Sequence, residues 1–448
     1  MLKRLCTCFG LLLLMGTTLN AHATMSPEDV TKFTLKNGMT IMVMEDHSIP
    51  NANMYIFWKV GSRNEYPGTT GIAHFFEHMM FNGAKKYGPK MFDQTMEANG
   101  GANNAYTSEN LTVYTNWYPA DAIEVMFDLE ADRIQHLALD PDIVESERGV
   151  VTSERSTGLE NSNFRTIWEE VKNAAFRAHP YSWPVIGHAS DIENWSMEDL
   201  KSFHKTFYAP NNAVTVFVGA VDTEEVKRLA EKYFEPIPAQ EPPRKIHTVE
   251  PEQKGERRVY VQKPSVTSAN IMMGFHMPPN PHEDYYPLLL LSDILSSGNS
   301  SRLMRSLVFE QQVADSVSTF AFDSFDPNLF YVYGVASQSA DATTLEKAII
   351  AELNKVAKEG VTDKELQKVK NQRLVDFYRN VGTINNRADM LGRYELFHGD
   401  YKKMFSAPED FEKVTKEDIQ RVAKTYLIKK NRTVGVLDSK EDSHENDL

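Results

Sequence analysis

FEPIPAQEPPRKIHTVEPEQKGERR, residues 234–258, has prolines and charges where the flanking chain has an apolar period. Such a stretch reads as a linker between domains, and the segments on either side of it follow the same order. Before it, NANMYIFWKVGSR (51–63) reads as a strand, TTGIAHFFEHMMF (69–81) as a helix, NNAYTSENLTVYTNWY (103–118) as a strand pair and DAIEVMFDLEADRIQHL (121–137) as a helix. After it, SANIMMGFHMPP (268–279), YYPLLLLSDILSS (285–297), SVSTFAFDSFDPNLFYVYGVAS (316–337) and ATTLEKAIIAELNKVAKEG (342–360) repeat that succession. Each half then continues into a further helix, LDPDIVESERGVV at 139–151 matching VTDKELQKVKNQR at 361–373. The expected fold class is therefore α+β: two homologous α/β domains, each a mixed, mostly antiparallel sheet packed with helices, related by duplication. The expected bounds are 24–237 and 258–448, joined by a linker at 238–257.

The first residues, MLKRLCTCFGLLLLMGTTLNAHA, have the layout of a cleavable export signal: Lys3 and Arg4, a short apolar run, and Ala21-His22-Ala23 before a cut after Ala23. The run is too short to span a bilayer, and no later window reaches that length. A periplasmic or secreted protein is the expectation. Both cysteines, Cys6 and Cys8, fall inside the signal, so a metal site in the mature chain must be built from His, Asp and Glu. Loss of Lys3 and Arg4 takes the formal charge of -14 two units lower, a balance that disfavours nucleic acid and anionic membranes.

Within GIAHFFEHMM (71–80), His74 and His78 are spaced i, i+4 and project from one helix face, with Thr69 or Thr70 expected as the helix cap. Glu77 lies beside the pair. Phe75, Phe76, Met79, Met80 and Phe81 suit a core helix, but two imidazoles at ligand spacing with an acid between them point to a metal site. The order H-x-x-E-H inverts the H-E-x-x-H zinc motif. A catalytic zinc needs a third protein ligand, and DIVESERGVVTSERSTGLE (142–160) offers Glu145, Glu147, Glu154 and Glu160. Periodicity leaves that choice open.

GIAHFFEHMMFNG, NNAYTSENLTVYT, ESERGVVTSE, HPYSWPVIGH and FYAPNNAVTVFVGAVD together resemble the pitrilysin or insulinase family of inverted-motif zinc peptidases, close to its two-domain bacterial members and the mitochondrial processing peptidase subunits. The resemblance covers nearly all of the mature chain. It implies Glu154 as the third ligand, one zinc ion per chain, Glu77 as the group that activates a zinc-bound water, and Glu147 as a support for a ligand histidine. It further implies that Asn104 and Ala105 lie on an edge strand against which a peptide substrate aligns. The family encloses substrates between two halves of about four such domains, and this chain supplies two, so a homodimer or a heterodimer with a related chain is implied. Displaced by 222 residues, Glu147 meets Val369 and Glu154 meets Asp376, so the second half is expected to carry no metal set.

Active relatives usually supply an arginine and a tyrosine from the later domain. The matching positions here are Val308 and Asp315, with Arg302 and Arg305 as possible substitutes. The implied function is that of an exported zinc endopeptidase acting on peptides or small unfolded polypeptides as the zinc-bearing half of a dimeric clamshell, whose partner supplies the Arg/Tyr pair. The alternatives are a non-catalytic binding or assembly subunit of the same family and, more remotely, a metal carrier.

Overall fold

The computed structural model of the chain describes residues 25–439, so the expected leader at 1–23 lies outside the described residues. The first half builds a six-stranded sheet from β1 (Val30–Thr34), β2 (Thr40–Glu45), β3 (Asn51–Trp58), β4 (Ala102–Thr107), β5 (Thr112–Pro119) and β6 (Ala213–Gly219), ordered β1-β2-β6-β3-β5-β4. The second builds a five-stranded sheet from β7 (Arg257–Gln262), β8 (Asn270–Met277), β9 (Ala314–Phe320), β10 (Asn328–Ala336) and β11 (Arg432–Asp438), ordered β7-β11-β8-β10-β9. Omitting β1, the two orders coincide strand for strand. In each sheet one pair is parallel, β2 with β6 and β7 with β11, and the other pairs are antiparallel. The chain is thus α+β with two homologous domains.

Helices follow the same duplication. The first half has α1 (Ile72–Met79), α2 (Met91–Ala98), α3 (Ile123–His136), α4 (Pro141–Asn161), α5 (Asn163–Ala175), α6 (Ala189–Asn194), α7 (Met197–Phe207) and α8 (Thr223–Tyr233). The second has α9 (Tyr285–Ser296), α10 (Ala342–Glu359), α11 (Asp363–Asn380), α12 (Ile384–Phe397), α13 (Lys403–Lys413) and α14 (Lys416–Tyr426), with a π-helical turn at Met304–Glu310. Among the described residues, no helix is long and apolar enough to cross a membrane.

The central strands are apolar on both sides because both faces of each sheet are covered. Met54, Ile56 and Trp58 of β3 face the core shared with α1, whereas Tyr55 and Phe57 face a second core that contains Ile384, Ala388 and Leu391 of α12. The exchange is reciprocal. Ile167 and Val171 of α5 pack on Met272, Leu329, Tyr331 and Leu437 of the second sheet. Each half therefore lends a helix to the outer face of the other's sheet, and the two units interlock.

Two glycines make those crossings possible. A Cβ on Gly392 would lie 2.2 Å from the Phe57 ring, and one on Gly435 would lie 2.5 Å from Val171. The stretch 238–256 carries no helix or strand, yet it is docked rather than free. Glu250 accepts from the backbone N–H groups of Arg177, Ala178 and His179, and buried Gln253 donates to the Arg432 carbonyl at 2.7 Å.

Polar contacts also join the halves. Asp46, which follows β2, accepts from Arg387 of α12 and from the Ser48 N–H at 2.9 Å. Burial alone would raise its pKa, but the Ser48 and Arg387 hydrogen bonds win and hold it at about 2. The folded value lies below the unfolded one, so this contact contributes stability above about pH 4 that is lost as pH falls toward 2, worth at most about 2 kcal/mol for a partly solvated pair. Urea midpoints of the wild type and Arg387→Ala are expected to differ near pH 6 and to converge near pH 2. Equal midpoints at both pH values would remove the ion pair from the account.

Candidate metal centre

Helix α1 turns Ile72, Ala73, Phe75, Phe76 and Met79 into the core, leaving His74, Glu77 and His78 part-exposed on the other face. Its start differs from the expected threonine cap. Gly71 occupies the cap at φ 89, in a left-handed conformation, and a Cβ there would lie 2.4 Å from the Ile186 carbonyl oxygen. The free N–H groups of the first turn go instead to buried Glu65, which accepts from Gly71 and Ala73 at 2.8 Å each. Thr69 is turned back on the Tyr66 carbonyl, and Thr70 donates to Asp191 at 2.7 Å. A carboxyl group accepting at the open end of a helix does the work of a cap and stiffens α1. Sequence reading missed Glu65 because the bond spans the glycine turn.

Helix α4 starts at its Asp140 cap and carries Glu147 and Glu154 two turns apart toward α1. His74, His78 and Glu154 each offer one donor atom, all within 4.8 Å of one another. Glu154 Oε2 lies 3.7 Å from His74 Nε2 and 3.5 Å from His78 Nε2. Ligands held about 2.1 Å from one tetrahedral zinc stand roughly 3.4 Å apart, so the residues present fit that ion. Glu147 Oε1 sits 2.7 Å from His78 Nδ1, and its other oxygen accepts from Asn82 at 2.9 Å. A carboxylate on Nδ1 holds the proton there, so that Nε2 is the nitrogen whose proton a cation would replace.

Burial pushes both imidazoles down. For His74 it is joined by the neighbouring His78 charge, giving about 4, whereas at His78 hydrogen bonds to Glu147 and Glu154 overrule it and give about 9. The hydrogen bond to His78 is also the first cause of the lowered pKa of Glu147 and Glu154. The site is therefore anionic and ready to exchange a proton for a cation. Burial raises Glu77 against the hydrogen bond that Thr107 Oγ1 donates at 2.6 Å.

Asn104 and Ala105 lie on β4, the outer strand of the first sheet. The Ala105 N–H is taken by Asn104 Oδ1 at 2.9 Å. Tyr106 reaches across to Asp389 of α12 at 2.9 Å, while the next residue, Thr107, meets Glu77, as strand alternation requires. Thr107 was missed at the sequence level, although its place in NNAYTSEN beside the edge-strand residues was a usable signal.

The competing acids lie elsewhere: Glu145 pairs with Arg148, and Glu160 is exposed near Lys263, which donates to its carbonyl. In the second half, Val369 is buried in the core and Asp376 pairs with Arg379. Val308 packs from the π-helical turn into the second core, and Asp315 is exposed on β9. Arg302 pairs with Glu365 at 2.6 Å and Arg305 with Glu310 at 3.4 Å. None of these four residues lines the cavity of about 440 Å³ that opens beside His74 and Glu154.

Residues 40–189 match the family model described as Insulinase (Peptidase family M16), and residues 194–373 match that of the Peptidase M16 inactive domain. The zinc protease PqqE of Helicobacter pylori is 31% identical over 426 residues, 93% of this chain and 94% of the relative. The mitochondrial-processing peptidase subunit beta of Lentinula edodes is 25% identical over 409 residues, 88% of this chain and 86% of that subunit. A crystal structure of a protease from Helicobacter pylori matches with a TM-score of 0.88 and 30% identity, covering 91% of this chain and 99% of that one. The fold recurs in the periplasmic protease PqqL from Escherichia coli, with a TM-score of 0.77 and 18% identity, where 95% of this chain covers 49% of that one.

Proposed function

The chain belongs to the insulinase family, peptidase family M16, and from that premise we propose that it is an exported zinc-dependent endopeptidase of peptides or small unfolded polypeptides. The observation that carries this reading is the convergence of three donor atoms within 4.8 Å beside the carboxylate of Glu77. His74, His78 and Glu154 hold one zinc ion, and Glu147 orients His78. When bound, the ion supplies Lewis acidity, polarising a carbonyl and lowering the pKa of water. Glu77 takes the proton of the attacking water and passes it to the leaving amine, and its raised pKa suits a group that must both accept and donate. Asn104 and Ala105 receive the substrate as an added strand on the β4 edge, where main-chain bonds hold many sequences alike.

The chain works as the zinc-bearing half of a dimeric clamshell. Two features support a partner: Val308 and Asp315 stand where relatives carry arginine and tyrosine, and PqqL is about twice as long. A partner from a related chain supplies that pair. The leader-like first residues, taken with the periplasmic relative in fold, support action in the periplasm or outside the cell.

Metal analysis of the purified full chain, combined with a peptide-cleavage assay with and without a related family chain, tests this. One zinc per chain, weak cleavage alone and strong cleavage with the partner is the expected result. Full activity of the isolated chain would make a homodimer the default, and zinc binding without turnover in any combination would favour the non-catalytic subunit.

A further inference from the structure

The charges lining the cavity beside the metal cluster pair off with one another. Arg155 bonds Glu169 at 2.6 Å, Lys172 bonds Glu109 at 2.5 Å, and Arg393 of α12 bonds Asp323. Two charged groups of the lining remain, Glu154 and Arg165. Glu154 belongs to the histidine cluster. Among the described residues the guanidinium of Arg165 makes no hydrogen bond or ion pair; it is the third residue of α5 and crosses back over α4, where its charge acts at longer range on Glu154 and His74. Gly158 gives it the room: a Cβ there would stand 2.7 Å from Arg165 Nη1. Gly158 lies one turn beyond Glu154 on the same helix.

Arg165 is exposed at the edge of the cavity, so water solvates its charge and its donors stay open to an incoming group. Its fork of donors matches a carboxylate. One helical turn advances about 5.4 Å, close to the span of two residues of an extended peptide at about 3.3 Å each. A group meeting Arg165 therefore sits within about two residues of a bond held at the cluster.

We propose that Arg165 is a specificity-determining residue that receives a carboxylate of the substrate, so that the chain selects peptides carrying a negative charge next to the cleaved bond. This rests on the peptidase reading for its site. The carboxylate belongs to an Asp or Glu side chain or to the free C-terminus of a short peptide, and the Trp168 and Phe322 rings, stacked 5.7 Å apart on the same cavity, flank it with apolar surface.

Fluorescent peptides that differ only in Glu or Gln at each position around one cleavable bond, each with a free or an amidated C-terminus, are titrated by anisotropy against the zinc-loaded full chain carrying Glu77→Gln. Tighter binding by about tenfold is expected for the Glu peptide at one position within two residues of the bond, or for the free C-terminus if that is the source. Adding Arg165→Gln should bring the ratio to about one, and Arg165→Lys should keep part of the preference. Equal binding of all four peptide types, or a preference that survives Arg165→Gln, overturns the proposal. The peptidase reading fails separately: a charge preference in binding with no cleavage by the wild type, alone or with a partner, would retain Arg165 as a carboxylate anchor and discard the hydrolase. Cleavage without charge preference would do the reverse.

Discussion

Glu77→Gln should retain zinc and lose peptide hydrolysis by a factor of about 10² to 10⁴, the range that a positioned proton-transfer group contributes. Glutamine keeps the shape and can still accept the hydrogen bond from Thr107, so the local packing is preserved. It cannot take a proton from water. The three donor atoms of His74, His78 and Glu154 are untouched, so metal content should match the wild type while kcat collapses and KM moves little. The two readouts separate the rival readings. A chain that only binds or assembles would show the same behaviour with and without Glu77, and a variant that lost its zinc would give Glu77 a role in holding the ion.

The largest loss of stability is expected from Gly392→Val. Gly392 lies on α12 where that helix, contributed by the second half, crosses the first sheet, and the ring it would strike belongs to fully buried Phe57. Adding methyl groups to a close-packed contact forces neighbours off their rotamers, here for roughly 2–4 kcal/mol, because Phe57 is held by strands on both sides. Chemical denaturation measures the loss. The test of mechanism is a double-mutant cycle: in a Phe57→Ala background the same change should be tolerated far better, since the cavity left by the ring accepts the added atoms. Additive losses would mean that valine acts through contacts other than Phe57, because helix propensity by itself favours valine over glycine.

These two sites differ in how far they could be read from residues. The pair His74 and His78 with Glu77 between them was legible because a single helix turn determines which side chains share a face. The duplication was legible from the repeated succession around residues 234–258, and the shared strand order of the two sheets agrees with it. The choice of Glu154 over its neighbours was not legible from spacing, because helix periodicity says which acids lie on one face and not which face meets α1. The carboxyl cap of α1 was read wrongly as a threonine cap: Glu65 reaches Gly71 and Ala73 only because the intervening turn folds back on itself.

By itself the sequence determined the local chemistry: a helix with imidazoles at ligand spacing, in a mixed fold of two similar halves. Only the tertiary structure decided what that chemistry faces. The approach of Glu154 to the two histidines, the exchange of α5 and α12 between the sheets, and the pairing of Lys172 with Glu109 and of Arg393 with Asp323 around the cavity all depend on contacts between residues distant in the chain. Periodicity reports the direction of a side chain relative to its own element, whereas its partner is selected by the packing of both halves at once.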